Sequence, residues 1–154
     1  MSGGTMICGV DETAEGADAP AIGRAMAARL GLRLVLVSVI DDVPAGGHES
    51  LTARQRLAGA ERTLDLIARE LGDGTERRVV LGDRAEALAK VASDEGADLI
   101  VLGSRTAGLA NRRLRCTLAR ELEAATPIPV VVAPPSTRQR SGRRLATAAT
   151  AATR

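Results

Sequence analysis

The run Leu32–Ile40, LRLVLVSVI, restricts this chain more than any other stretch. It is nearly continuous in apolar and β-branched residues and does not alternate with polar ones. A strand with one wet face alternates; a strand covered on both faces has no need to. The run is therefore predicted as a central strand of a parallel sheet with helices above and below it.

The rest of the chain supplies the elements such a strand needs. Met6–Val10, MICGV, has a strand's length and ends at Asp11, before the polar DETAEG. Pro20 fits the first turn of a helix. Ile22, Ala25, Met26, Arg29 and Leu30 recur at helical spacing until Gly31 stops it. A loop with Pro44, Gly46 and Gly47 leads to a second helix, from about Leu51 to Leu71. Its apolar stripe is Leu57, Ala60, Leu64, Ile67, Ala68 and Leu71, with Gly72 and Gly74 at its end. Arg77–Leu81 is a third strand, closing at Gly82-Asp83. Ala85–Glu95 is a third helix with Ala85, Leu88, Val91 and Ala92 inward and Gly96 as its stop. Asp98–Leu102 is a fourth strand, running into Gly103 and a polar loop. Leu118, Ala119, Leu122 and Ala125 mark a fourth helix, ended by Thr126-Pro127. Pro129–Ala133 is a fifth strand whose opening proline suits a sheet edge. An edge this apolar calls for a partner, so a homodimer built on Pro129–Ala133 is expected.

Strand and helix alternate throughout. That order predicts an α/β fold: a doubly wound five-stranded parallel sheet, right-handed crossovers, helices on both faces. Ligands of such sheets lie beyond the carboxyl ends of the strands, where the strand order reverses. Three strand ends carry suggestive residues here: Asp11, the segment 39–42, and Gly103.

Composition excludes several functions. At 154 residues, with 45% apolar and 26% charged side chains, the chain suits one globular domain. A domain over 1–135 and a tail over 136–154 are expected. The tail holds five arginines and no acid, which leaves 16 basic and 19 acidic residues in the first 135. Its composition predicts disorder, and the body is mildly acidic. Aromatics are absent, so there are no stacking platforms for nucleic acid, and nucleic-acid binding is not expected. No apolar run reaches transmembrane length, and MSGGTM does not open a signal peptide; no membrane contact and a cytoplasmic location are expected. Cys8 lies in an apolar run and is expected to be buried. His48 is the only histidine, no Cys/His cluster exists, and no metal site is expected. There is no GxSxG elbow and no Walker lysine. No catalytic residue is assigned, and at most a very slow ATPase is expected.

Taken in order, these segments resemble the universal stress protein family over about residues 6–134. The resemblance rests on several matches: Val10-Asp11; Ser38-Val39-Ile40-Asp41; Gly82-Asp83 followed by Ala85 and Glu86; DLIVLGSR running on to Gly108-Leu109; and the final TPIPVVVAPP. It implies strand order 3-2-1-4-5 and dimerisation through the last strand. Family members that bind ATP resemble one another in a loop of Gly, two residues, Gly, nine residues, then Gly and Ser or Thr. On this chain those positions are Gly103, Thr106, Cys116 and Thr117, so two of three glycines are replaced. The resemblance places adenine-side contacts at Gly9, Val10, Asp11 and Val39, with Leu102 of a suitable type.

A side chain at a positive-φ position costs on the order of 1 kcal/mol, and one that projects into a phosphate path excludes the ligand. Thr106 could instead donate its hydroxyl to a phosphate, with Arg105, Arg112, Arg113 and Arg115 around it. Two functions follow. The first is a stress-response or regulatory protein acting through protein partners, its nucleotide loop degenerate and no cofactor bound. The second is an ATP-binding switch, with Mg on the phosphates and Asp11 within reach of the metal. A third reading makes Cys116 a redox thiol, because it stands at a helix start beside Arg115; as a plain gap-filler it needs no reactivity.

Overall fold

The computed structural model describes residues 3–10, 18–40, 49–72, 74–103 and 118–133. Five strands and the intervening helices alternate: β1 (Thr5–Val10), α1 (Asp18–Leu30), β2 (Arg33–Ile40), α2 (Glu49–Leu71), β3 (Glu76–Leu81), α3 (Arg84–Asp94), β4 (Ala97–Gly103), α4 (118–125) and β5 (Val130–Ala133). The strands form one parallel sheet in the order β3-β2-β1-β4-β5. The doubly wound sheet expected from the sequence is the one observed.

Residue parity explains the two faces. In β1, Met6, Cys8 and Val10 face α1 and α2, together with Leu34 and Leu36 of β2 and Val101 of β4. Ile7, Val35, Val37, Val39, Ile100 and Leu102 face the other way, onto α3 and Leu122 of α4. β2 is buried at every position after Arg33. The unbroken apolar run in the sequence is thus a strand with a helical layer on each side. Each fully buried Val, Leu or Ile contributes about 1.5–3 kcal/mol relative to exposure.

The helices divide by chain order. The two crossovers that carry α1 and α2 lie on one face, and α3 and α4 lie on the other. The switch falls between β1 and β4, adjacent strands whose following connections leave on opposite sides. In open sheets of this kind ligands lie beyond the carboxyl ends of such a pair of strands.

Two expected stripes need correction. In α1 the buried residues are Ala19, Pro20, Gly23 and Ala27, with Ile22 and Met26 half-buried, while Ala25 and Leu30 are exposed. The helix lies so close to the sheet that a Cβ added at Gly23 would sit 3.6 Å from Cys8 Sγ. Close approach selects small residues, and the larger apolar ones flank the contact. In α4, Leu122 is buried as expected, but Ala125 is exposed and Thr126 is buried in its place, its Oγ1 accepting from Ile128 N at 3.2 Å. In α3 the four expected residues are those buried, and Asp83 caps the helix by accepting from Glu86 N.

The sheet's edges differ in character. β3 carries Glu76, Arg77 and Arg78, and Arg77 Nε bonds Asp65 Oδ1 of α2 at 2.6 Å. Charges of this kind discourage pairing with another strand. β5 forms the opposite edge, as expected, with the sequence VVVA and Val132 exposed. No helix among the described residues is long and apolar enough to cross a membrane.

Candidate functional site

The carboxyl ends of β1, β2 and β4 bring together five of the nine positions singled out in the sequence. Gly9 pairs in register with Val37 on one side and Leu102 on the other, and Val10 pairs with Ser38. Val39 and Leu102 lie on the α3 face, both buried, two strand ends apart with β1 between them. Gly103 is the last residue of β4 and pairs with Ala133. Asp11, Thr106, Cys116 and Thr117 lie outside the described residues.

Both glycines have a packing reason to be glycine. A Cβ at Gly103 would come within 2.8 Å of the Ala19 Cβ on α1, where neither atom can swing aside. At Gly9 it would meet Leu102 Cδ2 at 2.9 Å, the far end of a flexible side chain. The two gaps point to opposite faces of the sheet. On the α3 face the space beside Gly9 is taken by Leu102 and Leu88, and on the α1 face the space beside Gly103 is taken by Ala19. Val39 and Leu102 are apolar and belong to the core on the α3 face.

Cys8, one turn of the pleat below, is fully buried, and burial pushes its thiol up to about 12. It behaves as a small hydrophobe, as expected. Among the described residues no group of three or more His, Cys, Asp or Glu side chains could hold a metal ion.

The amino end of the sheet holds an arrangement that sequence reading missed. Arg33, first residue of β2, donates to Glu76 Oε1 at 2.6 Å, Glu95 Oε2 at 2.7 Å and Thr5 Oγ1 at 3.3 Å. Arg78 completes Glu95 through Oε1 at 2.5 Å. The Arg33 hydrogen bond holds the Glu95 carboxyl below its ordinary range, with Arg78 adding to the effect and desolvation opposing it. Asp98 Oδ2 accepts from Thr5 N at 3.0 Å. These partners lie 43, 62 and 93 residues apart in sequence. No local pattern reveals them.

An open parallel sheet in the order β3-β2-β1-β4-β5, with helices on both faces, defines the class of doubly wound α/β proteins. The sequence matches the universal stress protein family over residues 4–134, and the chain belongs to that family. Among solved structures it is similar to a universal stress protein crystallised in complex with cAMP: 20% identity over 88% of this chain and 100% of that one, TM-score 0.62. It is likewise similar to the universal stress protein of Archaeoglobus fulgidus in complex with dAMP (16% identity, 86% and 98% coverage, TM-score 0.59). The hypothetical protein MJ0577 aligns with a TM-score of 0.72 at 20% identity, over 89% of this chain and 99% of that one. At these identities the likeness is one of fold. Comparison with curated protein sequences finds no significant match.

Proposed function

We propose that this protein is a nucleotide-responsive regulator: an adenine mononucleotide enters the crevice beyond β1, β2 and β4 as a signal, without being turned over. The observation that carries this is the convergence of Gly9, Val10, Val39, Leu102 and Gly103 at one strand-end crevice. Structures of the same fold in complex with cAMP and with dAMP support it. In this reading the main chain at Gly9–Val10 and Val39 holds the base, and Val39 and Leu102 pack against it. The phosphate-side positions Gly103, Thr106, Cys116 and Thr117 would face the phosphates, and Mg would accompany ATP there.

Calorimetry on nucleotide-stripped full-length protein, with cAMP, AMP and ATP–Mg in turn, tests it. Binding tighter than about 50 μM, about 6 kcal/mol, is expected for at least one of the three. No heat and no competition up to millimolar would overturn it. The function would then pass to the second reading, a regulator acting through protein partners without nucleotide. That reading draws on Thr106 and Cys116, which stand where ATP-binding relatives carry glycine.

The same proposal includes a homodimer through β5. Its support is the contrast between the uncharged VVVA edge and the charged β3 edge. Sedimentation velocity on Val132→Lys should give a monomer where the parent chain gives a dimer. An unchanged dimer would place the interface elsewhere.

A further inference from the structure

Among the described helices α2 is the longest, at 23 residues, and its two halves are seated differently. It runs back across β2 and β3, so its first half lies toward the carboxyl ends of those strands and its second half toward their amino ends. The second half is anchored. Leu64 and Ala68 are buried in the core of that face, Ile67 and Leu71 pack against it, and Asp65 holds Arg77 of β3. Of the side chains described in the first half, 53–58, none is buried: Ala53, Arg56 and Leu57 are half-buried, and Arg54, Gln55 and Ala58 are exposed. None of them is among the residues packed on that core.

Gly59 stands at the boundary. Gly9 and Gly103 have a packing reason to be glycine, and Gly59 has none: a Cβ there would meet nothing within 4 Å. Its φ is not positive either. Alanine would fit and would hold the helix better, because glycine loses more backbone freedom on entering one. What glycine supplies in such a place is a backbone that unwinds easily. One turn on, Thr63 Oγ1 donates to the Gly59 carbonyl at 3.0 Å. A hydroxyl turned back on the carbonyl four residues earlier loosens and bends a helix. Toward the carboxyl end of β2, Ser38 and Ile40 face the same side as Leu34 and Leu36. Ser38 is 2% exposed, with Val10 and Val79 as its register neighbours, and among the described residues no hydrogen-bond partner is placed on its hydroxyl. A buried hydroxyl without a partner is costly, and water relieves it. The closed arrangement therefore carries a penalty that opening removes.

We infer that α2 is hinged at Gly59: residues 49–58 detach from the sheet as a unit while 60–71 stay seated. A stretch this short does not hold a helix in water without tertiary support, so the detached arm unwinds up to the hinge. Opening admits water to Ser38 and uncovers the carboxyl ends of β2 and β3, where Leu81 is already exposed. The segments of a fold that open first are those with few buried apolar contacts, and the arm has that character beside a well-anchored second half. The surface next to these strand ends thus has a covered and an uncovered form. The device is independent of the nucleotide reading, since it stands whether or not a nucleotide binds.

Amide hydrogen exchange on the folded full-length protein, followed residue by residue by NMR, reads the opening. In an α-helix amides 53–62 bond to carbonyls 49–58, and amides from 63 onward bond to carbonyls from 59 onward. Uniformly low protection over 53–62 is expected, with a step of at least about tenfold up to Leu64 and Ala68. Protection that climbs gradually from the start of the helix would be ordinary end fraying and would overturn the hinge, as would equal protection of the two halves. Gly59→Ala should raise the protection of 53–62 by about two- to fivefold, because the opening has to unwind that residue. Ser38→Ala takes away the hydroxyl that opening hydrates and should raise the same amides at least about fivefold. An arm unchanged in Gly59→Ala places the opening elsewhere on the helix. An arm unchanged in Ser38→Ala means that the end of β2 stays covered. Either result overturns the inference.

Discussion

At the carboxyl end of the sheet, β1 and β4 run out through Gly9 and Gly103, and the helix opposite Gly103 is built from small residues. At the amino end the same sheet starts among Arg33, Glu76, Arg78, Glu95 and Asp98. One end is held by close packing and the other by charge. Close packing is sensitive to volume and has no charges for added ions to screen. Partly exposed ion pairs are the reverse: they tolerate changes in volume and weaken with ionic strength and acid.

The sharpest way to break this comparison is at Gly103. Replacing it by alanine places a methyl against Ala19, with backbone behind both atoms. Overpacking of this kind costs about 1–3 kcal/mol, and the thermal midpoint should fall by a few degrees for each kcal/mol. Ala19→Gly in the same chain removes the opposing methyl and should restore more than half of the loss. The rescued double variant then separates two reasons for the glycine. If it folds and still binds nucleotide, Gly103 is kept for helix packing. If it folds and has lost binding, the glycine is kept for the approach of the ligand.

Gly9→Ala should cost less, although the gap is nearly as small. Its added methyl meets the end of the Leu102 side chain, which can turn aside. An off-rotamer leucine costs about 0.5–1.5 kcal/mol. Denaturant midpoints of the two alanine variants, measured side by side, should therefore rank Gly103 above Gly9. The reverse order would mean that α1 yields more easily than the Leu102 side chain.

The sequence shows these two ends unequally, and the reasons are physical. The sheet is legible because β2 is an unbroken apolar run, and only a doubly covered strand accommodates one. α3 is legible because its buried residues, Ala85, Leu88, Val91 and Ala92, follow the helical period. α1 is not, since its contact face is Ala19, Gly23 and Ala27, and small residues give periodicity no signal. Gly9 and Gly103 can be picked out as strand-end glycines. The packing that demands Gly103 depends on a helix more than eighty residues earlier in the chain. The Arg33–Glu95–Arg78 cluster leaves no trace in spacing, because its members come from β2, β3 and the end of α3. Of the candidate ligand contacts, the adenine-side residues except Asp11 fall within the described structure. Asp11 and the phosphate-side Thr106, Cys116 and Thr117 lie outside it.

The smallest effect belongs to the amino end, and acid is the means to expose it. Glu95 has a lowered pKa in the folded chain because Arg33 and Arg78 favour its ionised form. A carboxyl depressed on folding contributes stability that is fully present above its ordinary, unfolded pKa of about 4.3. That contribution is lost as pH falls through the lowered folded value, because the unfolded chain takes up the proton first. Glu95→Gln removes the contribution at neutral pH and keeps the shape. Its urea midpoint should therefore lie slightly below that of the parent chain at pH 7. The gap should close as the pH falls toward 3, and it should narrow in 1 M NaCl, where screening acts within about 3 Å. Gly103→Ala should keep its deficit under both treatments, since no charge is involved. If the Glu95→Gln gap were instead constant with pH and salt, the glutamate would be acting through its stem and its packing. The amino end would then be held in the same way as the carboxyl end.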